Sequence, residues 1–288
     1  MKLIKPSWEI LEQDSGLQGI YKQIELAGRT CYKSLDKITE DSAEGFVNRM
    51  IASKHYAMLE HGTVYLKVPI NIDIAGDFLD DVTTWTKCKL VTEDTGNWWA
   101  ITTNYRRIIE LGYESHLQYL CEPTEFHEKR VTVRFTTSNS IMREFTRHRS
   151  HSFAIESTRY CNYSKDKFNN ELTFIQPFWV KEEMSLEEAS RYALFRGLLE
   201  DAETTYLNMI KSGMKPQEAR EVLPLATKCD MVMTGFISDW EHLCRLRSSF
   251  AETGQPHPDM KALVDPLLEE FISRGYLKEI VKNGNTES

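Results

Sequence analysis

The sequence has no C-x-x-C pair, and its six cysteines, Cys31, Cys88, Cys121, Cys161, Cys229 and Cys244, are scattered along the whole chain. That spacing excludes the common zinc-ribbon and dithiol redox motifs and fits reduced, mostly structural thiols in a cytoplasmic protein. No stretch approaches the roughly 18 apolar residues of a membrane span. The opening MKLIKPSWEILEQDSG starts basic, but Pro6, Glu9 and Glu12 interrupt it where a secretory signal needs a continuous apolar run. A chain that is not exported and has no membrane partner is expected. Positive charge is also in short supply: 35 Lys and Arg stand against 43 Asp and Glu, a net charge of −8. A broad nucleic-acid surface needs the opposite balance, so no nucleic-acid partner is expected and any anionic ligand must be held locally. With no repeat, low-complexity tract or linker, and 41% hydrophobic residues, the sequence reads as one domain over 1–288.

What is present alternates helical and strand periods, which places the chain in the mixed α+β class. In TEDSAEGFVNRMIAS, Phe46, Met50 and Ile51 fall at helical spacing behind Thr39 or Asp41 as caps. TVYLKV sets Val64, Leu66 and Val68 against Thr63, Tyr65 and Lys67, the period of a half-buried strand, and VTVRFT at 131–136 repeats it. Between them, a stretch from about 76 to 130 with Trp85, Trp98 and Trp99 reads as a helical insertion, clearest in TNYRRIIELG. Ser185 and Glu188 form a capping box for a long helix ending at Gly213, with Ala189, Tyr192, Leu199, Tyr206 and Ile210 as its apolar face. A short helix follows between Pro216 and Pro224; SDWEHLCRLRSS and DMKALVDPLLEEFISRG are helical, and the tail KNGNTES is frayed.

The chemistry concentrates in SIMREFTRHRSHSFAIESTRYCNYS, from Ser140. Ile141, Phe145 and His148 share one predicted helical face, and Arg143 and Arg147 another. With Arg149 and Arg159 that gives four arginines opposed only by Glu144 and Glu156. Guanidinium forks match phosphate oxygens bidentately, each charge-assisted bond contributing roughly 1.5–3 kcal/mol. Ser150, Ser152 and Ser157 add hydroxyls. A solvated basic face with internal salt bridges is the plainer alternative. Glu144, His148 and His151 also have metal-ligand spacing, but neighbouring arginines repel a cation and nothing nominates a completing ligand, so no metal is expected.

Arg147, His148 and Arg149, followed after seven residues by Ser157, resemble the R-H-R-x7-S signature of the flavin-dependent thymidylate synthases, and the match runs on to Arg159 and Tyr160. LEHGTVYL at 59–66, TTNYRR at 102–107, AREVLP at 219–224 and HLCRLR at 242–247 appear in the family's order. The resemblance implies an antiparallel sheet flanked by helices. It also implies methylation of dUMP to dTMP, with FAD as cofactor and NADPH and 5,10-methylenetetrahydrofolate as co-substrates. Arg147, His148 and Arg149 take the flavin-contacting positions of the signature; His61, Thr63 and His242 resemble further flavin contacts. Ser157, Arg159 and Arg220 resemble the residues that bind the nucleotide, joined by Arg147 and by Glu144, which stands where the family commonly has glutamine. Arg247 resembles the arginine at the pyrimidine, where a fixed cation stabilises developing negative charge, and is the catalytic candidate. Family members are homotetramers with shared active sites, so the same assembly is expected.

The sequence departs from the family's pattern at Ala154 and Ile155, which replace an Asn-Glu pair, at Phe236, which replaces an asparagine, and in HPD at 257–259. Two other classes compete with this reading. A nucleotide phosphohydrolase would need a carboxylate cluster for magnesium, which the sequence lacks; an RNA-binding module would use RHRSHS and the tryptophans for stacking, against the net acidity.

Overall fold

The computed structural model describes residues 1–72, 78, 85–94, 96–165, 170–251 and 254–278. Strands β1 (Lys2–Ile4) and β2 (Ser7–Leu11) lead into α1 (Gly16–Cys31), α2 (Ser42–Ala52) and a 3-10 turn at Tyr56–His61. Then come β3 (Thr63–Pro69), β4 (Lys87–Glu93), β5 (Gly96–Asn104) and α3 (Tyr105–Leu111). The signature region contains β6 (Arg130–Ser138), α4 (Asn139–Phe145) and β7 (Ser152–Ile155). The chain continues through β8 (Thr173–Ile175), α5 (Leu186–Lys211), α6 (Pro216–Ala219), β9 (Lys228–Phe236), α7 (Ile237–Arg247) and α8 (Pro258–Ser273).

The main sheet is antiparallel in the order β2-β6-β9-β7, a second antiparallel sheet runs β3-β5-β4, and β1 pairs with β8 in parallel. This is the expected α+β fold. Strand β6 alternates as its sequence requires: Val131, Val133 and Phe135 face a core with Phe145, Trp240 and Phe271 from α4, α7 and α8. On the other side, Ile20 and Ile24 of α1 and Phe46 and Val47 of α2 pack with Val64 and Leu66 of β3. Each such fully buried aliphatic or aromatic side chain contributes roughly 1.5–3 kcal/mol. These two cores hold β6 and β9 between them, so the residues that leave the ends of those strands have fixed positions.

Several expectations change. Residues 87–93 and 96–104, read as part of a helical insertion, pair as strands β4 and β5; 105–111 is α-helical as expected, and 114–119 forms a 3-10 helix. Gly96, at φ 126°, supplies the backbone conformation at the start of β5, and Val91, Trp98 and Ala100 bury a satellite core that β-branched and aromatic residues favour in a strand. Residues 76, 77, 79–84 and 95 of that stretch, and the tail KNGNTES, lie outside the described residues. Strand β3 is buried on both faces at Thr63–Leu66, because α1 covers one side and the main sheet the other. The capping box of α5 is present, with the Glu188 amide donating to Ser185 Oγ at 3.2 Å. Of its expected apolar face, however, only Leu199 and Tyr206 are buried, with Ala202; the first half of the helix reaches beyond the core and Ala189 is exposed.

Candidate functional site

Ser138 caps α4 by accepting from the Ile141 amide at 3.3 Å, and the helix ends at Phe145 after only seven residues. The Arg147 amide bonds Glu144 O, the His148 amide bonds Phe145 O, and the His151 amide bonds His148 O, so the chain turns tightly into β7. The helical face drawn through His148, and the one through Arg143 and Arg147, therefore do not exist. The bends send the two guanidiniums of the signature outward and the imidazole between them inward: Arg147 and Arg149 are exposed, His148 is buried.

Helix α7 runs alongside and delivers His242, Leu246 and Arg247 to the same place. Together Arg147, His148, Arg149, Ser150, His242, Leu246 and Arg247 line an open cleft of about 510 Å³. Arg247 is held from two sides: its Nη1 pairs with Glu144 Oε2 at 2.8 Å, and its Nε donates to His148 Nε2 at 3.2 Å. Because a guanidinium nitrogen can only donate, His148 accepts through Nε2 and its proton sits on Nδ1. Burial, and then the charge of Arg247, push the His148 pKa down to about 4, so the ring is neutral at ordinary pH. Arg147 and Arg149 have no carboxylate partner among the described residues. The cleft thus presents two uncompensated cations beside a third that is fixed in direction.

Other candidates lie elsewhere. His61 is fully enclosed beneath β9, with Nδ1 at 2.8 Å from Thr234 Oγ1 and Nε2 without a partner; burial, then Arg130, hold its pKa at about 3. Thr63 is buried, exchanges backbone hydrogen bonds with Gln13 at 2.8 and 2.9 Å, and faces a different cavity. Ser157 anchors its segment through an amide bond to Cys31 O at 3.0 Å. Arg159 is exposed and donates to Gln217 Oε1 of α6 at 3.3 Å; three residues beyond Gln217, Arg220 is exposed beside Glu221 at 3.5 Å. Of the predicted residues, Arg147, His148, Arg149, His242 and Arg247 therefore line the cleft, with Glu144 bonded to Arg247, whereas His61, Thr63, Ser157, Arg159 and Arg220 do not line it.

Sequence reading missed the supports. Glu156, one residue before Ser157, is buried and accepts from Lys228 Nζ at 2.8 Å, Tyr163 OH at 3.0 Å and the Asp230 amide at 3.0 Å, with Lys33 at 3.2 Å. It pins the Ser157 end of the signature to β9. A carboxylate next to the signature serine was the available sign, but its lysine partners lie far off in sequence. His151, read beside His148 for metal ligation, instead packs edge-on against Trp240 with ring centroids 4.7 Å apart. Ser152 Oγ is buried, away from the cleft. Burial raises the Cys31 pKa to about 11 and the Cys244 pKa to about 12, which suppresses thiolate chemistry at both.

The mixed helix and sheet scaffold presents two guanidiniums without carboxylate partners among the described residues on either side of a neutral histidine, an arrangement whose donors match the geometry of phosphate oxygens. Residues 101–274 match the family described as thymidylate synthase complementing protein, and the chain belongs to that family. A flavin-dependent thymidylate synthase from Haloarcula marismortui is 31% identical over 127 residues, 39% of this chain and 51% of that one. One from Pyrococcus furiosus is 27% identical over 191 residues, 65% of this chain and 73% of that one. The chain thus spans about half the length of the first. A crystal structure of a UMP/dUMP methylase, PolB from Streptomyces cacaoi, bound with 5-Br UMP, covers 95% of this chain and 92% of its own, at 15% identity and a TM-score of 0.47, too remote a likeness to carry a functional argument. Among the described residues, no helix is long and apolar enough to cross a membrane.

Proposed function

We propose that this protein is a flavin-dependent thymidylate synthase, a methyltransferase that converts dUMP to dTMP with FAD as cofactor and 5,10-methylenetetrahydrofolate and NADPH as co-substrates. The observation that carries the reading is the convergence of Arg147, His148, Arg149, His242 and Arg247, drawn from two distant segments, on one cleft. Family membership supports it. The donor set fits a flavin dinucleotide: Arg147 and Arg149 would hold its phosphates, and the neutral His148 and exposed His242 would flank it. When bound, the reduced flavin supplies the hydride that completes the methyl group, and the folate supplies the carbon.

The protein's own share is orientation and charge. Arg247 is preorganised by Glu144 and His148, so its remaining N–H groups need not reorient to meet negative charge developing on a pyrimidine. Glu144 balances that cation while the nucleotide is absent. Ser157, Arg159 and Arg220 would bind the nucleotide, its phosphate against Arg220, and Ser157 has no base among its hydrogen-bond partners that would make it a nucleophile. This group does not line the cleft, an arrangement that fits sites shared between copies of the chain in a homotetramer. Leu186, Leu194 and Leu198 on α5 are 93%, 76% and 60% exposed and would be covered in such an assembly. Residues 1–288 then form one synthase domain, with about 76–130 as an insertion.

The test is an anaerobic assay of purified protein with FAD, NADPH, methylenetetrahydrofolate and dUMP, following dTMP by chromatography. Product that disappears in Arg247→Ala is the expected result; flavin binding without any dTMP from the wild type would overturn the substrate assignment.

A further inference from the structure

Glu156 is buried and accepts hydrogen bonds on both of its carboxylate oxygens. Oε2 accepts from Lys228 Nζ at 2.8 Å and from the Asp230 amide at 3.0 Å, and lies 3.2 Å from Lys33 Nζ; Oε1 accepts from Tyr163 OH at 3.0 Å. Both lysines also reach Asp230, whose other oxygen accepts from Thr136 Oγ1 at 2.7 Å. Burial works to raise the Asp230 pKa, but Lys228 and Lys33 outweigh it and hold it at about 2. Burial, and then Glu156, lift the Tyr163 phenol well above the usual tyrosine range, so it keeps the proton that it donates. Two ammoniums thus balance two carboxylates in one network, the arrangement in which buried charge is tolerated.

Glu156 and Tyr163 also stand at the two ends of one short turn. Strand β7 ends at Ile155, and beyond Glu156 the Tyr160 and Cys161 amides both bond Ser157 O, at 3.1 and 3.0 Å. Ser157 and the exposed Arg159 therefore lie between two residues that are joined to each other through their side chains. The near end is tied to β9 by the Glu156 amide on Asp230 O at 2.8 Å, and to the end of α1 by the Ser157 amide on Cys31 O at 3.0 Å. At the far end the Tyr163 amide donates to Tyr206 OH of α5 at 3.4 Å. The bond between Glu156 and Tyr163 closes the base of the turn.

We infer that Glu156 and Tyr163 are positioning residues for the nucleotide: their bond holds the turn in the form in which Ser157 and Arg159 receive dUMP, an assignment that rests on the reading of those two residues as nucleotide contacts. Neither has to touch the ligand. A turn that is ordered before binding spares the ligand the cost of ordering it, so the clasp acts on affinity and not on the chemical step. Glutamine at 156 can keep the shape, with its oxygen toward the lysines and its NH2 toward Tyr163, whose hydroxyl also accepts. It cannot keep the charge. Two ammoniums would then face Asp230 alone, and the base of the turn loses its ionised acceptor.

The experiment is steady-state dTMP formation with dUMP varied, together with calorimetric binding of dUMP to the FAD-loaded protein, for the wild type, Glu156→Gln, Tyr163→Phe and the double variant. Glu156→Gln should raise KM and Kd for dUMP about tenfold or more and Tyr163→Phe about three- to tenfold, each with kcat within about twofold of the wild type and FAD retention unchanged. The double variant should lose less affinity than the product of the two single effects, because both act through one bond. Tyr163→Phe keeps the ring in its packing and loses only the hydroxyl, so a wild-type KM there overturns the proposal even where Glu156→Gln fails to fold. A fall in kcat at unchanged KM, or a lower melting temperature with dUMP affinity intact, overturns it too, leaving the synthase reading standing. A wild type that neither binds dUMP nor makes dTMP overturns that reading and this assignment with it.

Discussion

Arg247 of α7 and Glu144 of α4 meet at 2.8 Å although 103 residues separate them, and His148 takes up the other side of the same guanidinium at 3.2 Å. The side chain expected at the pyrimidine is thus clamped before any ligand arrives. Arg247→Ala should lower dTMP formation roughly 10²–10³-fold, the usual cost of removing a preorganised donor. Flavin retention should change little, because Arg147 and Arg149 remain. Arg247→Lys should not restore activity, since an ammonium cannot satisfy Glu144, His148 and a substrate in a planar fork. Near wild-type turnover in either variant, measured by steady-state kinetics, would remove Arg247 from the chemistry.

Ser157 is placed by its backbone and by the neighbouring Glu156, so replacing its hydroxyl leaves the segment anchored. Ser157→Ala should raise KM for dUMP about 5- to 20-fold, the loss of one hydrogen bond to a charged ligand, with part of kcat retained. Complete loss of activity with normal nucleotide binding would contradict a binding role.

If each site is shared, two dead variants should repair one another. Co-expressed Arg247→Ala and Arg220→Ala chains, once mixed in one oligomer, should recover about a quarter to a half of the wild-type activity, because some sites then receive both intact arginines. Light scattering on the wild type should give a mass of several chains. A monomer, or mixed oligomers as inactive as the parents, would mean that both groups act within one chain.

How much of this was legible in the sequence depends on how far apart the partners lie. The α5 capping box spans three residues and its local chemistry announces it; so does the R-H-R-x7-S spacing. The α+β class followed from period alone. Strands β4 and β5 were misread because aromatic residues and lysines in KCKLVTE and NWWA carry no strict alternation, and the decision rests on the Trp98 core and on pairing with β3. Arg130 gave no signal: a strand-leading arginine reads as solvated, and only the fold reveals that α1 and β3 close over it. The same holds for Glu156, whose lysines lie 123 and 72 residues away.

Four buried histidines, His61, His127, His148 and His151, make the fold sensitive to acid, each with its pKa lowered chiefly by burial. His61, His148 and His151 have pKa values pushed down to about 3, 4 and 3 from the ordinary 6.5, chiefly by burial. As pH falls below about 6.5 the unfolded chain takes up protons that the folded chain refuses, so stability falls with pH from there to about 4, by up to about 1.4 kcal/mol per pH unit for each ring. Urea midpoints should hold near neutrality and decline steeply below pH 6.5. His151→Phe should flatten the slope by one proton. A midpoint independent of pH between 4 and 6.5 would mean that the rings are not enclosed as described.

Gly235 and His151 set a last constraint on how β7 meets β9. A Cβ at Gly235 would lie 2.4 Å from His151 Cδ2 and 2.7 Å from its Nε2. The imidazole cannot withdraw easily, because it is buried and packed at 79° against the Trp240 ring. Gly235→Ala must therefore displace the ring or the strand, and the expected cost is about 1–3 kcal/mol, the range for overpacking a filled core. Since His151 sits between Arg149 and β7, displacement should also reach the cleft and weaken flavin retention. The double variant with His151→Ala opens space for the new methyl group, so its destabilisation should be smaller than the sum of the two single effects by about 0.5–3 kcal/mol. Urea unfolding of the four proteins measures this coupling directly; strictly additive losses would show that the ring and the glycine do not constrain one another.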